Sequence, residues 1–423
     1  MNKKLVLSAL LALAMNQQTF AMSLTEASQL ALDNDANYAA QVARYEANTQ
    51  NLPIAKSAKK IQASINGSVT QSFGPQMSGG VGERVSLDLS KTLYNGQMKY
   101  DIKKAEVMQD VYETELEIAT ENELAKVTAA YLQGLEKQEI NELSKAEVTM
   151  LEKQAKNAKH NLDAGVSNKN QALDFKALLD SATSGLLSSE MEVNSAKIDL
   201  ESIVGAPVNS LDTNLSLDSS IINHTTTAQL MDQARQNNKQ LHRQQLMLAA
   251  ADYNVTAKSK MNGPVVTGVA SYGTSHGGMN GAGGAGGYVG IQVSIPLGGS
   301  KKHYTSQARS EQDAASSEVE AQEQKITSSV QRLASSLLLD QRIISAKRAA
   351  VKSATESLEA TQTSFKTGQL NSVDVVAAQR NLGDAQRQLI QAKYAAAGRV
   401  VSLLQITGKL TVDNINKIDR LLK

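Results

Sequence analysis

The sequence predicts an α+β protein in which one module of long helices and paired strands occurs twice. Three observations support this fold class: a helix-rich composition, a repeat offset of 203 residues, and two hydrophobic periods that alternate along the chain. Aromatic residues make up only 4% of the 423 residues and Trp is absent. Thin bundles of long helices suit this composition better than a thick globular core does.

The repeat is clearest near the C-terminus. Residues 365–368 (Phe-Lys-Thr-Gly) precede an apolar run that ends in a second glycine, Gly408. Residues 162–165 (Leu-Asp-Ala-Gly) begin a matching run that ends at Gly205, and the two glycines are equally far apart in both copies. An internal repeat of this length decides the whole fold. We therefore divide the chain into a signal peptide (1–21), a first repeat (22–223) and a second repeat with its C-terminal tail (224–423).

The N-terminus has the pattern of a secretory signal peptide. Lys3 and Lys4 precede an apolar core at 5–15, and small residues stand at the expected cleavage positions before and at Ala21. Cleavage would change the formal net charge from +1 to −1, and this balance does not favour nucleic acid as a partner. The chain contains no cysteine, which excludes disulfides and thiolate chemistry.

Helical signals dominate both repeats. Ser23 and Glu26 form a capping-box pattern that predicts a helix to about residue 61, with a break or kink at Pro53. Residues 97–161 are free of proline and predict one helix of roughly 100 Å, followed by a turn at Gly165 and a returning helix. A seven-residue spacing of apolar side chains predicts coiled-coil-like packing. The positions are Val330, Leu337, Ile344, Val351, Leu358 and Phe365 in one helix, and Leu179, Leu186, Val193 and Leu200 in another.

Each repeat also contains two stretches with a period of two. Residues 65–73 and 85–90 predict one hairpin, and residues 266–272 and 289–295 predict a second. Glycine-rich residues 277–287 predict a mobile extracellular loop rather than a nucleotide site, since they lack the Gly-Lys-Ser/Thr ending of a phosphate-binding loop. Since no segment has the 18 or so apolar residues of a membrane helix, membrane insertion would require a closed barrel. Four strands are too few for that, whereas three chains would supply twelve.

The order of several short motifs resembles the TolC family of outer-membrane efflux and secretion channels. The motifs are residues 127–132 (Val-Thr-Ala-Ala-Tyr-Leu), 373–376 (Val-Asp-Val-Val) and 406–408 (Ile-Thr-Gly). The resemblance implies a homotrimer in the outer membrane, with a transmembrane β-barrel and a periplasmic α-helical barrel. Its implied function is the exit duct of a tripartite efflux pump or a type I secretion system. The implied partners are outer-membrane lipid, a periplasmic adaptor protein and an inner-membrane transporter.

The same resemblance points to candidate site residues at the two helical turns. It implies that the turns at Gly165 and Gly368 form the periplasmic entrance, where they constrict the pore and dock the adaptor. The family's acidic pore residue falls on Asp374 in the second repeat and on Gln171 in the first, with Asp174 one turn later. The residues allow another interpretation, because Asn371 with Asp374 and Asn168 with Gln171 fit helix-capping pairs.

Nothing in the sequence favours catalysis, a metal or a cofactor. The five histidines lack a metal-ligand spacing, and no nucleophile-elbow motif occurs. The sequence therefore predicts a protein that is not an enzyme. The alternative function is an exported periplasmic coiled-coil adaptor or structural spacer without a pore, which explains the heptads but not the two hairpins.

Overall fold

The computed structural model describes residues 21–71, 81–212, 226–276 and 283–415. These residues form two compact units. The sheet unit comprises the described parts of Gln41–Ile118 and Lys239–Gln324. The helical unit comprises the described parts of Met1–Ala40, Ala119–Asn238 and Lys325–Lys423. The predicted signal peptide lies outside the described residues, except for Ala21.

The helices follow the same order in both halves of the chain. The first half contains α1 (Leu24–Asn34), α2 (Ala36–Thr49), α3 (Asn51–Ser57), α4 (Gly96–Asp163) and α5 (Lys169–Val204). The second half contains α6 (Thr227–Asn237), α7 (Lys239–Ser259), α8 (Lys301–Lys366) and α9 (Ser372–Ile406). Helices α4 and α8 have 68 and 66 residues, so the long uninterrupted helices predicted from the sequence are confirmed.

Four antiparallel strands form one sheet in the sheet unit. The strands are β1 (Gln62–Gln71), β2 (Val81–Asn95), β3 (Val265–His276) and β4 (Gly284–Ser294), and their order in the sheet is β1-β2-β3-β4. Strands β1 and β2 begin 203 residues before β3 and β4, as α1 begins 203 residues before α6. Within the described part of the chain, β1 and β4 each pair on one side only.

The largest apolar core lies in the helical unit. It joins α1, the middle of α4, the C-terminal ends of α5 and α9, and the residues after α9. Tyr131, only 1% exposed, lies at its centre and donates a hydrogen bond of 2.9 Å from its hydroxyl to the Met22 carbonyl oxygen. The heptad positions also pack inward, because Val330, Leu337 and Leu358 are buried and the remaining members are at least partly covered.

The structure corrects two predicted boundaries. The first helix breaks at Asp35 and again at Gln50, so the break predicted at Pro53 occurs three residues earlier and Pro53 lies in the first turn of α3. Proline is tolerated there because the first helical residues have no intrahelical acceptor for their N–H groups. The glycine-rich loop is also shorter than predicted, since Gly284–Ser294 is a strand. Residues 277–282 of that predicted loop lie outside the described residues.

Candidate functional site

The four-stranded sheet has one apolar and one polar face. Cross-strand partners share a face, so the pairs Ile65 with Leu87 and Ala270 with Leu89 place apolar side chains together. The same face continues through Val289, Ile291 and Val293 of β4, which are 87%, 71% and 61% exposed. A contiguous exposed apolar surface of this kind marks an interface with lipid or another apolar partner.

The opposite face of the sheet carries hydrogen-bonding groups. Asp88 in β2 accepts a hydrogen bond of 2.7 Å from the Asn66 side chain of β1 and one of 2.8 Å from the Ser86 hydroxyl. Thr267, Ser271 and Gln292 lie on this same face by register. Along each strand, exposed apolar side chains on one face alternate with polar side chains on the other. Strands of a water-filled transmembrane barrel have this alternation.

The two helical turns in the helical unit have nearly the same backbone. Gly165 and Gly368 end α4 and α8 with φ angles of 72° and 77°. This left-handed conformation favours glycine because other residues bring Cβ close to the backbone carbonyl. After each turn, an asparagine caps the returning helix, with Asn168 before α5 and Asn371 before α9.

Asp374 takes part in a reciprocal capping box. Its N–H donates to Asn371 Oδ1 at 3.1 Å, and its Oδ2 accepts from the Asn371 N–H at 3.0 Å. In the first repeat, the Gln171 N–H donates to Asn168 Oδ1 at 2.9 Å. The capping interpretation is thus confirmed for both turns. Asp374 also remains partly exposed, so capping leaves part of its carboxylate open to solvent.

The structure brings together residues from the two turns that are far apart in sequence. The Ser372 hydroxyl of α9 donates to Asp174 Oδ2 of α5 at 2.6 Å. Next to this bond, the rings of Phe175 and Phe365 meet edge to face, with centroids 5.8 Å apart. Phe175 belongs to a small core that also includes Ala158, Leu358, Val375 and Leu382. Asp174 therefore links the two turns, a contact that no local sequence pattern signals.

None of the described helices is long and apolar enough to cross a membrane. The described residues also contain no group of three or more side chains arranged to hold a metal ion.

Comparisons with known proteins show which proteins the chain is similar to. Residues 230–409 match the family model described as outer membrane efflux protein. The chain is 24% identical to the outer membrane efflux protein BepC of Brucella suis, and the match covers 98% of this chain and 92% of BepC. It is also 24% identical to the outer membrane protein TolC of Vibrio cholerae, over 80% of this chain and 79% of that protein.

The chain is similar to TolC-like outer membrane efflux proteins over nearly its whole length.

The fold of the chain agrees with this similarity. The outer membrane protein VceC of Vibrio cholerae superimposes with a TM-score of 0.79 at 17% identity, covering 91% of this chain and 96% of VceC. The TolC-like chain is accordingly an outer-membrane protein. Members of this family are transport channels rather than enzymes.

Proposed function

We propose that three copies of the chain form the outer-membrane exit duct of a tripartite efflux pump or a type I secretion system. The observation that carries the proposal is the amphipathic sheet, whose outer strands β1 and β4 each lack a partner on one side within the described chain. Exposed strand edges are not stable in lipid, where every backbone N–H and C=O needs a partner. Three copies joined edge to edge would give a closed barrel of twelve strands.

The helical unit supplies the periplasmic part of this duct. Its two hairpin turns, at Gly165 and Gly368, form the periplasmic entrance and the docking surface for an adaptor protein and an inner-membrane transporter. The paired turns support this role because they pack together through Phe175 and Phe365 and so present one combined tip. Asp374 contributes one carboxylate per chain to the constriction, and Asp174 links the turn that carries Gln171 to the turn that carries Asp374.

Cysteine labelling tests whether the sheet encloses a water-filled lumen in a membrane. The chain has no cysteine, so an introduced cysteine supplies the only thiol that the reagents can modify. Ser68 lies on the polar face of β1 and Val69 lies on its apolar face, and each is replaced by cysteine in turn. In lipid bilayers, we expect a charged, membrane-impermeant thiol reagent to react with Ser68→Cys, because that side chain would face the water-filled lumen. Val69→Cys should resist that reagent and react with a lipid-soluble maleimide.

The wild-type chain is the cysteine-free background for both reagents. Equal reaction of the two variants with the charged reagent would mean that both faces of the sheet contact water. That result would refute the proposed duct. A detergent-independent, water-soluble monomer would instead support a periplasmic adaptor or spacer.

A further inference from the structure

Exposed lysines gather at one edge of the sheet, where all four strands meet helices. This edge is formed by Gln62, Asn95, Val265 and Ser294, the strand ends nearest the helices. We call the following exposed side chains the lysine collar: Lys59, Lys60, Lys99, Lys260, Lys301 and Lys302. Every one of the four junctions between a helix and a strand contributes at least one of them.

The opposite edge of the sheet differs in charge. That edge is formed by Gln71, Val81, His276 and Gly284, and residues 66–71, 81–90, 268–276 and 283–294 contain no lysine. The lysines are therefore concentrated at one end of the strands, whereas the opposite end carries Glu83 and Arg84, whose charges cancel. An even scatter of lysines for solubility would not produce this asymmetry.

Ion pairing does not account for the collar, and the helix dipole favours only Lys59, Lys60 and Lys260, which follow the C-terminal ends of two helices. Lys99 and Lys301 lie in the first turns of α4 and α8, and neither first turn carries an acidic residue. A cation at a helix N-terminus is unfavourable because the helix dipole is positive there. Among the described residues, none of the six collar lysines forms a salt bridge, whereas neighbouring Lys56 pairs with Glu106 at 3.2 Å.

Tyrosines accompany the lysines at this edge. A Cβ placed on Gly96 would lie 3.6 Å from the Tyr94 hydroxyl and 3.7 Å from the Lys260 Cβ, so Tyr94 and Lys260 both approach the end of β2. Tyr304 lies in the first turn of α8, with the Lys258 ammonium 5.9 Å from its ring centroid. Tyrosine and lysine have an apolar body and a polar tip, which suits them to the boundary between hydrocarbon and water.

We propose that the lysine collar binds the phosphate head groups of anionic phospholipids in the leaflet adjoining this edge of the sheet. The inference rests on the proposed function, which places the apolar face of the sheet in the membrane. Four strands span roughly 14 Å at the usual spacing of about 4.8 Å. Lysines spread over that width match a layer of many head groups, whereas a single free phosphate could contact only one or two of them.

Lipid binding by the full-length protein tests the proposal. We compare the wild type with the collar variant K59Q/K60Q/K301Q/K302Q and the control variant K153Q/K156Q/K159Q/K366Q. The control removes the same charge from exposed lysines of the helical unit. The readout is retention of fluorescent phosphatidylglycerol or phosphatidylcholine by immobilised protein in neutral detergent, with inorganic phosphate as competitor.

Each lysine near an anionic lipid surface contributes roughly a fivefold factor in affinity. We therefore expect the wild type and the control variant to prefer phosphatidylglycerol by about tenfold or more, and the collar variant to lose most of that preference. Equal retention of the two lipids by the wild type, or an unchanged preference in the collar variant, would overturn the proposal. Abolition of phosphatidylglycerol binding by millimolar inorganic phosphate would overturn it too, in favour of a small anion site.

Bilayer conductance of the same preparations separates this proposal from the proposed function. If the wild-type protein conducts ions but retains both lipids equally, only the proposed lipid binding by the collar is refuted. A wild type that neither conducts nor inserts into bilayers would refute the duct, and the collar with it.

Discussion

The two repeats share a backbone frame and differ in the polar contacts that hold it. At the C-terminal ends of α5 and α9, Gly205 and Gly408 adopt φ angles of 66° and 65°. Each end also receives an amide hydrogen bond from an asparagine near the first helix pair of its own repeat. Asn34 donates to the Val204 carbonyl oxygen at 2.9 Å, and Asn238 donates to the Ile406 carbonyl oxygen at 3.0 Å.

The joint between the first two helices shows where the repeats have diverged. In the first repeat this position is Asp35, and in the second it is Asn238, 203 residues later. Asp35 is buried, and its Oδ2 accepts from the Lys126 ammonium at 2.7 Å, while Lys126 also reaches Glu123 at 3.3 Å. Glycines and apolar spacing thus maintain the shared frame, whereas the ionic contact at this joint belongs to the first repeat only.

The largest expected effect on stability distinguishes a glycine that packs against another segment from a glycine that faces open space. Gly408→Ala would force a left-handed φ on alanine and push its Cβ into the Asn237 carbonyl oxygen. Gly368→Ala has the same φ problem but nothing within 4 Å of the added Cβ. We expect a loss of about 3 kcal/mol or more for Gly408→Ala and about 1–2 kcal/mol for Gly368→Ala. Thermal unfolding in detergent, followed by circular dichroism, measures the difference.

Gly165→Ala is the matched control for Gly368→Ala, because its added Cβ also meets open space. Equal destabilisation by Gly408→Ala and Gly368→Ala would show that the close approach to Asn237 is unimportant.

An intermediate loss of stability is expected when Asp35 is replaced by asparagine, the residue at the matching position of the second repeat. Asp35→Asn keeps an oxygen for the N–H groups of Asn37 and Tyr38 but loses the ionic bond to Lys126. Because the Lys126 side chain is 41% exposed, the expected loss is only about 1–2 kcal/mol at pH 7. Denaturation of both proteins across a pH series measures it.

The pH dependence of this difference follows from the pKa of Asp35. Burial alone would raise that pKa, but the bond to Lys126 and the two backbone N–H groups outweigh burial and lower it below 3.8. The stabilisation is therefore present above pH 3.8 and is lost as pH falls through the lowered pKa. Burial raises the pKa of Glu123, and the nearby Asp35 carboxylate adds to this rise in the wild type only.

Asp33→Asn is the control for Asp35→Asn, since Asp33 is exposed on the same helix. Its effect should stay below about 0.5 kcal/mol. A gap between wild type and Asp35→Asn that widens below pH 4 would contradict the expected sign.

The smallest effect on stability concerns the two turns and the proposed constriction. Asp374→Gln should preserve the capping box, as Gln229 does for Thr226 before α6 with a bond of 2.9 Å. Its stability should change by less than about 0.5 kcal/mol, whereas Asp374→Ala should lose about 1 kcal/mol. Both variants should weaken cation selectivity, measured as the reversal potential in planar bilayers under a salt gradient, because both remove the carboxylate.

Gln171→Asp is the reciprocal change in the first repeat and should strengthen cation selectivity. Unchanged reversal potentials in all three variants would leave Asp374 as a helix cap only.

Sequence patterns predicted the features that depend on near neighbours in the chain. Hydrophobic periods of seven and two identified the long helices and the four strands, and the spacing of Gly165 and Gly368 identified the turns. The capping pair of Asn371 and Asp374 was predictable for the same reason, since its members are three residues apart. The helix break at Asp35 was missed although its side chain accepts the N–H groups of Asn37 and Tyr38, because the helical pattern continues across this local cap.

The duplicated order of helices and strands was predictable from the sequence, because periodicity and glycine conformation act within a few residues. The hydrogen bond between Ser372 and Asp174, 198 residues apart, and the contact of Phe175 with Phe365 were not predictable, because both form only when the helices pack together. The collar also depended on the strand register, which brings residues from four separate junctions to one edge. Such contacts depend on how helices and strands pack against each other, and short sequence patterns do not predict that packing.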